Sequence, residues 1–193
     1  MVVDTGPGTA AQLRLHGRTL VEHARDALMA VPGVHVLVVG SGVPGGTTLA
    51  PDEPWRARVT GTLVLHDPGC PLLPAAAVRE CLDRLTAAGP GSAVVGVRPV
   101  TDTIKEVREG AVLRTLERTG LWAVQTPQAF RRDALERALD QPVEVLATAT
   151  DDASLVEALG GTVRVVEAPR ENLKITTPVD LRVAELLLAE RAG

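Results

Sequence analysis

Apolar positions follow two different spacings that alternate along the chain. Residues 19–31 have the period of an amphipathic helix, and residues 34–40 then form a mostly apolar run, typical of a strand covered on both faces. Further apolar runs lie at residues 62–66, 92–97 and 162–166, with helical patterns between and after them. This alternation predicts an α/β, Rossmann-like fold: a mainly parallel, doubly wound sheet with helices on both faces. Such sheets bind ligands at the carboxyl ends of their strands.

Polar residues at the expected helix starts support these boundaries. Thr19 with Glu22 three residues later has the spacing of a capping box. Asp151 and Asp152 place carboxylates where they suit the positive end of a helix dipole. Thr177-Pro178 indicates the start of the last helix, since proline suits the first helical position.

One stretch departs from this alternation. Two short β-type segments, residues 103–107 and 111–116, flank the turn signal Arg108-Glu109-Gly110. Their strands mix charged and apolar residues, so they do not suit a fully buried sheet. We expect a β-arm over about residues 99–124 that projects from a single domain of residues 1–193. The arm would pack on another surface, such as a second copy of the chain.

Composition excludes several classes of function. A formal charge of −4 and 2% aromatic residues argue against a nucleic-acid binder. No apolar run approaches the ~20 residues of a membrane span, and the N-terminus does not resemble a signal peptide. Cys70 and Cys81 are too few for a disulfide framework or a zinc site. We therefore expect reduced thiols, a cytosolic location and no membrane partner.

Two charged residues stand where nucleotide chemistry would need them. Asp67 follows an apolar strand, where a carboxylate can hold a Mg²⁺ that bridges phosphates. Its alternative role is to cap a turn. Lys174 lies just before the last helix, where a fixed cation can stabilise charge that develops during phosphoryl transfer. Its alternative is an ordinary solvated lysine.

Other residues suit phosphate recognition. The hydroxyl of Thr103 and the guanidinium of Arg118, both on the arm, suit a phosphomonoester. Alternatively, Arg118 pairs with Glu117 or Glu106. Gly6 and Gly8 resemble the remnant of a phosphate loop, although Pro7 removes one backbone N–H that such a loop would use. A plain surface turn is the alternative there.

Several segments together resemble the 2-C-methyl-D-erythritol 4-phosphate cytidylyltransferases of the non-mevalonate isoprenoid pathway. The resemblance is nearly continuous from residue 63 to the C-terminus. The segments that carry it are LVEH (20–23), VLHD (64–67), DTIKEV (102–107), T-x-x-R-x-x-LW (115–122), QTPQAF (125–130), TDDASLVE (150–157) and ENLKITTP-x-DL (171–181).

The resemblance implies a fold, a reaction and residue roles. The fold is that of glycosyltransferase-A-like nucleotidyltransferases. The reaction is Mg²⁺-dependent transfer from CTP to 2-C-methyl-D-erythritol 4-phosphate, which yields 4-diphosphocytidyl-2-C-methyl-D-erythritol and pyrophosphate. Asp67 matches the family's metal-site aspartate, and Lys174 a lysine that stabilises the transition state. Thr103 and Arg118 match residues that hold the sugar phosphate from the neighbouring subunit of a homodimer.

The sequence departs from the family on the nucleotide side. The family opens with A-A-G-x-G-x-R followed by Pro-Lys, whereas here VVDTGPG is followed almost at once by TAAQ, with Ala10 about where the lysine stands. No convincing match to the family's Gly-Gly-x-x-R-x-x-S-V segment lies between Gly46 and Leu63. Cys70 replaces the arginine of HDAARP. In the family, the arginine and lysine of the opening segment clamp the phosphates of the nucleotide. Four arginines here are candidates to replace this phosphate clamp: Arg14, Arg18, Arg56 and Arg58.

Three hypotheses follow. The first is the family's cytidylyltransferase activity. The second is an impaired homologue that acts as a binding protein or dimer partner, lending its arm to a complete active site. The third is a nucleotidyltransferase of altered nucleotide or sugar specificity.

Overall fold

The computed structural model describes residues 2–3, 13–36, 38–39 and 55–192. The strands in chain order are β1 (Val2–Val3), β2 (Arg14–Leu15), β3 (Arg18–Thr19), β4 (Val38–Val39), β5 (Leu63–Leu65), β6 (Ser92–Pro99), β7 (Lys105–Arg108), β8 (Ala111–Thr115), β9 (Trp122–Phe130) and β10 (Thr162–Glu167). The helices are α1 (Leu20–Met29), α2 (Trp55–Arg58), α3 (Ala75–Ala87), α4 (Arg132–Leu139), α5 (Val143–Thr148), α6 (Asp152–Ala158) and α7 (Pro178–Ala192). None of these helices is both long and apolar enough to cross a bilayer.

A four-stranded sheet in the order β10-β6-β9-β5 forms the centre of the fold. Strands β5, β6 and β10 run in one direction, and β9 runs antiparallel between β5 and β6. The α/β fold is therefore confirmed, but the sheet is mixed, because β9 pairs antiparallel with both of its neighbours. The sequence pattern did not indicate β9, because the proline in Thr126-Pro127 is unusual inside a strand. The chain accommodates this pair with a register shift, so that Gln128 lies opposite Val95 while Gln125 lies opposite Gly96.

Both faces of this sheet are buried, as the apolar strand runs predicted. Leu63, Leu65 and Phe130 pack on one side with α4, α5 and α6. Val64 and Ala129, the intervening residues, point to the other side and pack with α1 and α3. Alternate side chains of a strand point to opposite faces, so a continuous apolar run fills two cores at once. Because helices cover both faces, a ligand can reach this sheet at the ends of its strands.

The predicted helix caps are confirmed. Thr19 and Glu22 form a complete capping box at the start of α1. The side chain of Asp151 accepts the N–H of Ser154 at the start of α6. At α7, the Asp180 carboxylate accepts the backbone N–H groups of Thr176 and Thr177. These bonds lower the pKa of Asp180 to about 2.

Some elements differ from the sequence prediction. Of the described residues in the expected strand at 34–40, residues 34–36 are irregular, and Val38–Val39 pair with β1. The short antiparallel pair β2–β3 and helix α5 were not predicted. Two-residue strands and a six-residue helix are too short to show a period, so the pattern contained no signal for them.

The predicted hairpin is confirmed as β7 and β8, which pair antiparallel. Glu109 and Gly110 both adopt positive φ at its turn, which suits the twist of a tight hairpin. Lys105 Nζ donates to Thr115 Oγ1 at 2.6 Å across the two strands. Val107, Val112 and Leu113 are exposed on it. The arm thus presents apolar side chains that this subunit does not cover.

We predict that Gly161→Ala destabilises the fold by about 1–3 kcal/mol, because a Cβ there needs backbone to move. That Cβ would lie 2.5 Å from Val156 Cγ1, 2.9 Å from Val156 O and 3.0 Å from Gly91 O. Gly120→Ala is the matched control, since its Cβ meets nothing within 4 Å and should change stability by less than about 0.5 kcal/mol. Urea denaturation measures both variants. Equal stability of the two would contradict the packing at the start of β10.

Candidate functional site

The structure brings together two of the predicted site residues, Asp67 and Lys174. Lys174 Nζ lies 2.8 Å from Asp67 Oδ2. Asp67 follows β5, and Lys174 precedes α7. A backbone hydrogen bond from Ile175 N to Gly69 O, at 2.7 Å, joins the two segments beside the pair. The result is a cation and an anion held together at the carboxyl end of a strand, where the fold class was expected to bind its ligand.

The ion pair is accessible to solvent. The Lys174 side chain is 59% exposed and that of Asp67 29%. Partial burial acts to lower the pKa of Lys174, but the hydrogen bond and charge of Asp67 outweigh it, so the pKa is raised. Lys174 therefore carries a positive charge at neutral pH. Exposed ion pairs contribute only about 0–1 kcal/mol, so this lysine can exchange its carboxylate for a phosphate oxygen at little cost.

Asp67 also caps a turn, as its alternative interpretation predicted. Its Oδ1 accepts the N–H of Gly69 at 2.7 Å, while Oδ2 accepts Lys174. A carboxylate offers about four lone-pair positions, so both oxygens keep acceptor capacity. That capacity fits Mg²⁺, which uses one or two carboxylates and takes its remaining ligands from waters and substrate phosphates. Among the described residues, no group of three or more His, Cys, Asp or Glu side chains could hold a metal ion. A Mg²⁺ at Asp67 would therefore need ligands from water and substrate phosphates.

His66 lies beneath this pair and is fully buried. Its Nε2 is 2.9 Å from the carbonyl oxygen of Cys70, and its Nδ1 is 2.9 Å from Thr126 Oγ1. A carbonyl only accepts, so the contact assigns the proton to Nε2 and leaves Nδ1 as an acceptor. Burial lowers the pKa of His66 to about 4, which keeps the ring neutral at neutral pH.

A second buried polar residue, Asn172, ties the lysine segment to β9. Asn172 Nδ2 donates to the carbonyl of Thr126 at 2.7 Å, while its buried Oδ1 has no partner among the described residues. No pattern in the sequence pointed to a function of His66 or Asn172. Both stand in the motifs that carry the family resemblance, yet their shared partner Thr126 lies tens of residues away, and no local pattern reveals such contacts.

Thr103 and Arg118 lie on the arm, and both are exposed. No hydrogen bond or ion pair within the described part of the chain joins them to Asp67 or Lys174. Arg118 donates to the backbone carbonyl of Thr101. Among the described residues Arg118 forms neither alternative ion pair within 4 Å: Glu106 pairs with Arg114, and Glu117 accepts from Thr119, although the charge of Arg118 helps to lower the pKa of Glu117. The Arg118 guanidinium, with five N–H donors, thus retains donors for a phosphate.

The described arginines of the nucleotide side make other contacts. Arg14 Nη1 donates to the carbonyl of Gly17 at 2.6 Å, and Arg18 pairs with Asp26 at 2.5 Å. Arg56 pairs with Asp140 at 2.9 Å. Each of the three already uses part of its guanidinium on another group, so a phosphate would share or displace that partner. The predicted loop residues Gly6 and Gly8, Ala10 and the side chain of Arg58 lie outside the residues that the structure describes.

Cys70 and Cys81 are free thiols, as predicted, and both are buried. Burial raises the pKa of each to about 12. Cys70 therefore places a neutral group where the family pattern has an arginine.

Comparisons with known proteins show which family this chain resembles in sequence and fold. The family model of 2-C-methyl-D-erythritol 4-phosphate cytidylyltransferase matches residues 56–190. A curated protein of that name from Pelotomaculum thermopropionicum is 43% identical over 178 residues, which cover 86% of this chain and 71% of that protein. The solved structure of the Thermus thermophilus protein of that name has a TM-score of 0.77 and 29% identity, with 98% of each chain covered.

Other curated relatives match a shorter stretch. The protein of the same name from Symbiobacterium thermophilum is 49% identical over 131 residues, which are 67% of this chain and 54% of that protein. A Bacillus licheniformis relative likewise matches over 54% of its length. The chain thus spans between about half and about seven tenths of these relatives. The family match begins after the N-terminal segment where the sequence departs from the family pattern.

We predict that acidification destabilises the protein through His66. The unfolded imidazole binds a proton near pH 6.5 and the folded one only near pH 4, so stability is lost as pH falls below 6.5. Between pH 7 and pH 5 this residue alone should remove about 2 kcal/mol of unfolding free energy. Urea denaturation of wild type and His66→Gln at both pH values isolates the effect. An equal loss in both proteins would contradict a neutral, buried His66.

Proposed function

Because the chain belongs to the 2-C-methyl-D-erythritol 4-phosphate cytidylyltransferase family, we propose that it catalyses the reaction of that name: CTP and 2-C-methyl-D-erythritol 4-phosphate give 4-diphosphocytidyl-2-C-methyl-D-erythritol and pyrophosphate. The observation that carries the proposal is the ion pair of Asp67 and Lys174. It joins a candidate metal ligand to an exchangeable cation at a strand's carboxyl end. The relatives that support it carry the same name.

The bond changes define what the residues must do. A phosphate oxygen of the sugar phosphate attacks the α-phosphorus of CTP and forms a new P–O bond. The bond between the α-phosphorus and the bridging oxygen breaks, and pyrophosphate leaves with its electron pair. Negative charge accumulates around the α-phosphate on the way, so positioning and charge stabilisation are the enzyme's main tasks.

Lys174 supplies the cation for this charge. Like any lysine with an ordinary pKa it is protonated at neutral pH, and the hydrogen bond and charge of Asp67 raise its pKa further. On nucleotide binding its ammonium group moves from the carboxylate to an α-phosphate oxygen, an exchange that its exposed position permits. The departure of Lys174 leaves a carboxylate oxygen of Asp67 open at the same moment.

That carboxylate is the proposed ligand for Mg²⁺. A bound Mg²⁺ would neutralise phosphate charge and help to orient the triphosphate. Asp67 remains fixed without Lys174, because Gly69 N–H still holds its Oδ1. Asp67 would therefore pair with Lys174 before the substrate binds and would be available to hold the metal afterwards.

The arm supplies the recognition of the sugar phosphate in this proposal. Arg118 and Thr103 offer a guanidinium and a hydroxyl on an exposed hairpin, which suits a phosphomonoester brought in from outside the subunit. Val107, Val112 and Leu113 give the arm an apolar surface for a second copy of the chain. We therefore propose a homodimer in which each arm completes the partner's site.

A second candidate function is that of a partner subunit. The observation that favours it is the present engagement of Arg14, Arg18 and Arg56 with other groups, together with the neutral Cys70. Such a subunit would lend its arm to a complete homologue. It would form mixed dimers with that homologue, whereas an exclusive preference for homodimers would exclude the role.

We predict that the chain releases pyrophosphate from CTP, Mg²⁺ and 2-C-methyl-D-erythritol 4-phosphate. Lys174→Ala should lower kcat by about 10²–10³-fold, because it removes a preorganised charge stabiliser. Arg79→Ala, which removes one exposed positive charge from α3, is the control and should keep full activity. Other nucleoside triphosphates in the same assay test for altered specificity. No release from folded wild-type protein would overturn the proposed reaction and favour the partner-subunit function.

We predict that two inactive variants restore activity when their subunits are mixed. A dimer of Lys174→Ala with Arg118→Ala has one site in which both residues are intact, provided that Arg118 acts across the interface. Random exchange should then recover roughly a quarter of wild-type activity, since half of the dimers are mixed and each has one good site. The measurement is activity after subunit exchange. Recovery that stays at the level of the separate variants would place Arg118 in its own subunit's site.

A further inference from the structure

The hydroxyl group of Thr126 lies between His66 and Asp67. His66 Nδ1 is an acceptor, because its Nε2–H is donated to the Cys70 carbonyl, so the Thr126 O–H must point at Nδ1. The hydroxyl oxygen is then free to accept, and the backbone N–H of Asp67 reaches it at 3.2 Å. The direction of one hydroxyl is thus set by a neutral imidazole, and that hydroxyl fixes the backbone from which the Asp67 carboxylate projects.

The carbonyl group of the same residue holds the lysine segment. Asn172 Nδ2 donates to Thr126 O at 2.7 Å, and Asn172 is 0% exposed. Two residues further on stands Lys174, and Ile175 N then donates to Gly69 O. Lys174 is therefore held between an anchor on β9 and an anchor on the turn after Asp67.

The register shift in β9 makes it possible for Thr126 to hold both segments, one with its hydroxyl and one with its carbonyl. Gln125 lies opposite Gly96 and Gln128 opposite Val95, so Thr126 and Pro127 have no residue across from them on β6. A residue in the regular ladder would bond its carbonyl to the neighbouring strand. Thr126 is released from that bond, and its hydroxyl and carbonyl hold two segments that are distant in the sequence.

The side-chain amide of Asn172 is used on its donor side. Its Oδ1 is buried without a hydrogen-bond partner among the described residues. An unpaired acceptor costs about 1–3 kcal/mol, but an apolar side chain here would instead leave the carbonyl of Thr126 without its donor. The chain keeps an amide at this position although only its donor side is used.

We propose that Thr126 is the positioning residue that sets the separation of Asp67 and Lys174, with His66 orienting its hydroxyl and Asn172 binding its carbonyl. This inference rests on the proposed function for its consequence in catalysis. Its structural part does not. Thr126 makes no contact with the reacting atoms in this scheme; it acts through Asp67 and through the segment that carries Lys174.

The experiment compares Thr126→Val with Thr126→Ser. Valine keeps the shape and removes the hydroxyl, whereas serine restores the hydroxyl. We expect Thr126→Val to expose the Asp67 amide, which should exchange with solvent roughly tenfold faster, as for the loss of one neutral hydrogen bond. Serine should restore the wild-type rate. Amide exchange measured by NMR gives this result in the absence of any enzymatic activity.

Asn172→Leu tests the other anchor separately. The chain has two lysines, so isotope-labelled lysine gives two side-chain signals, and Lys105→Arg identifies that of Lys174. We expect Asn172→Leu to shift the Lys174 signal while the Asp67 amide keeps its protection. Because this variant leaves the Thr126 side chain intact, it still tests the proposal if Thr126→Val does not fold.

The catalytic consequence is measured as a split between kcat and KM. Thr126→Val and Asn172→Leu should each lower kcat by about ten- to hundredfold, as for a misplacement of about 1 Å, with the KM of the sugar phosphate unchanged. Thr126→Ser should stay near wild type.

The outcomes separate the two claims. An unchanged Asp67 amide in Thr126→Val, an unshifted Lys174 signal in Asn172→Leu, or a serine variant as impaired as the valine variant overturns the positioning inference. Absence of activity in all proteins, together with the expected NMR changes, overturns the proposed reaction and leaves the positioning inference standing.

Discussion

The site depends on a division between two exposed charged groups and the buried neutral groups that hold them in place. Asp67 and Lys174 must reach water and substrate, and a buried pair of charges would lose more in desolvation than the pair regains. The residues below them are neutral instead: an uncharged imidazole, a hydroxyl and an amide. Buried neutral groups that bond to each other form a stiff network at a low cost in desolvation. The fold can therefore present two exposed charges on a base of neutral, hydrogen-bonded groups.

The distance along the chain between contacting residues explains which features the sequence revealed. Strands, helix caps and the hairpin all depend on neighbours within a few residues, so their patterns predicted them. Asp67 and Lys174 were predicted because a strand end and a helix start are local signals. Strand β9 was missed, since its proline contradicts the local rule and only the bulge opposite Gly96 makes it acceptable. His66, Thr126 and Asn172 depend on partners brought together by the fold, and no spacing along the chain reports such contacts.

The free subunit already assembles one side of the site, whereas the arginines proposed for the nucleotide side contact other groups. The side that carries Asp67 and Lys174 is assembled by hydrogen bonds within this subunit. On the nucleotide side, Arg14 and Arg18 hold the β2–β3 turn and helix α1, and Arg56 is tied to Asp140. These contacts are largely exposed, and exposed ion pairs are weak, so a triphosphate can compete for any of these arginines. In the proposed reaction, nucleotide binding would therefore change side-chain contacts on both sides of the site, while the backbone hydrogen bond between Ile175 and Gly69 would still join the segments of Asp67 and Lys174.

The scarcity of lysine has a practical consequence. The chain contains only Lys105 and Lys174, and Lys105 is engaged with Thr115 on the arm. An amine-reactive aldehyde that bears a phosphate group would therefore meet few ε-amino groups, one of them beside the proposed phosphate position. Peptide mapping of the trapped adduct would assign each label to one of two sites without ambiguity. The protein is thereby suited to active-site titration by covalent labelling.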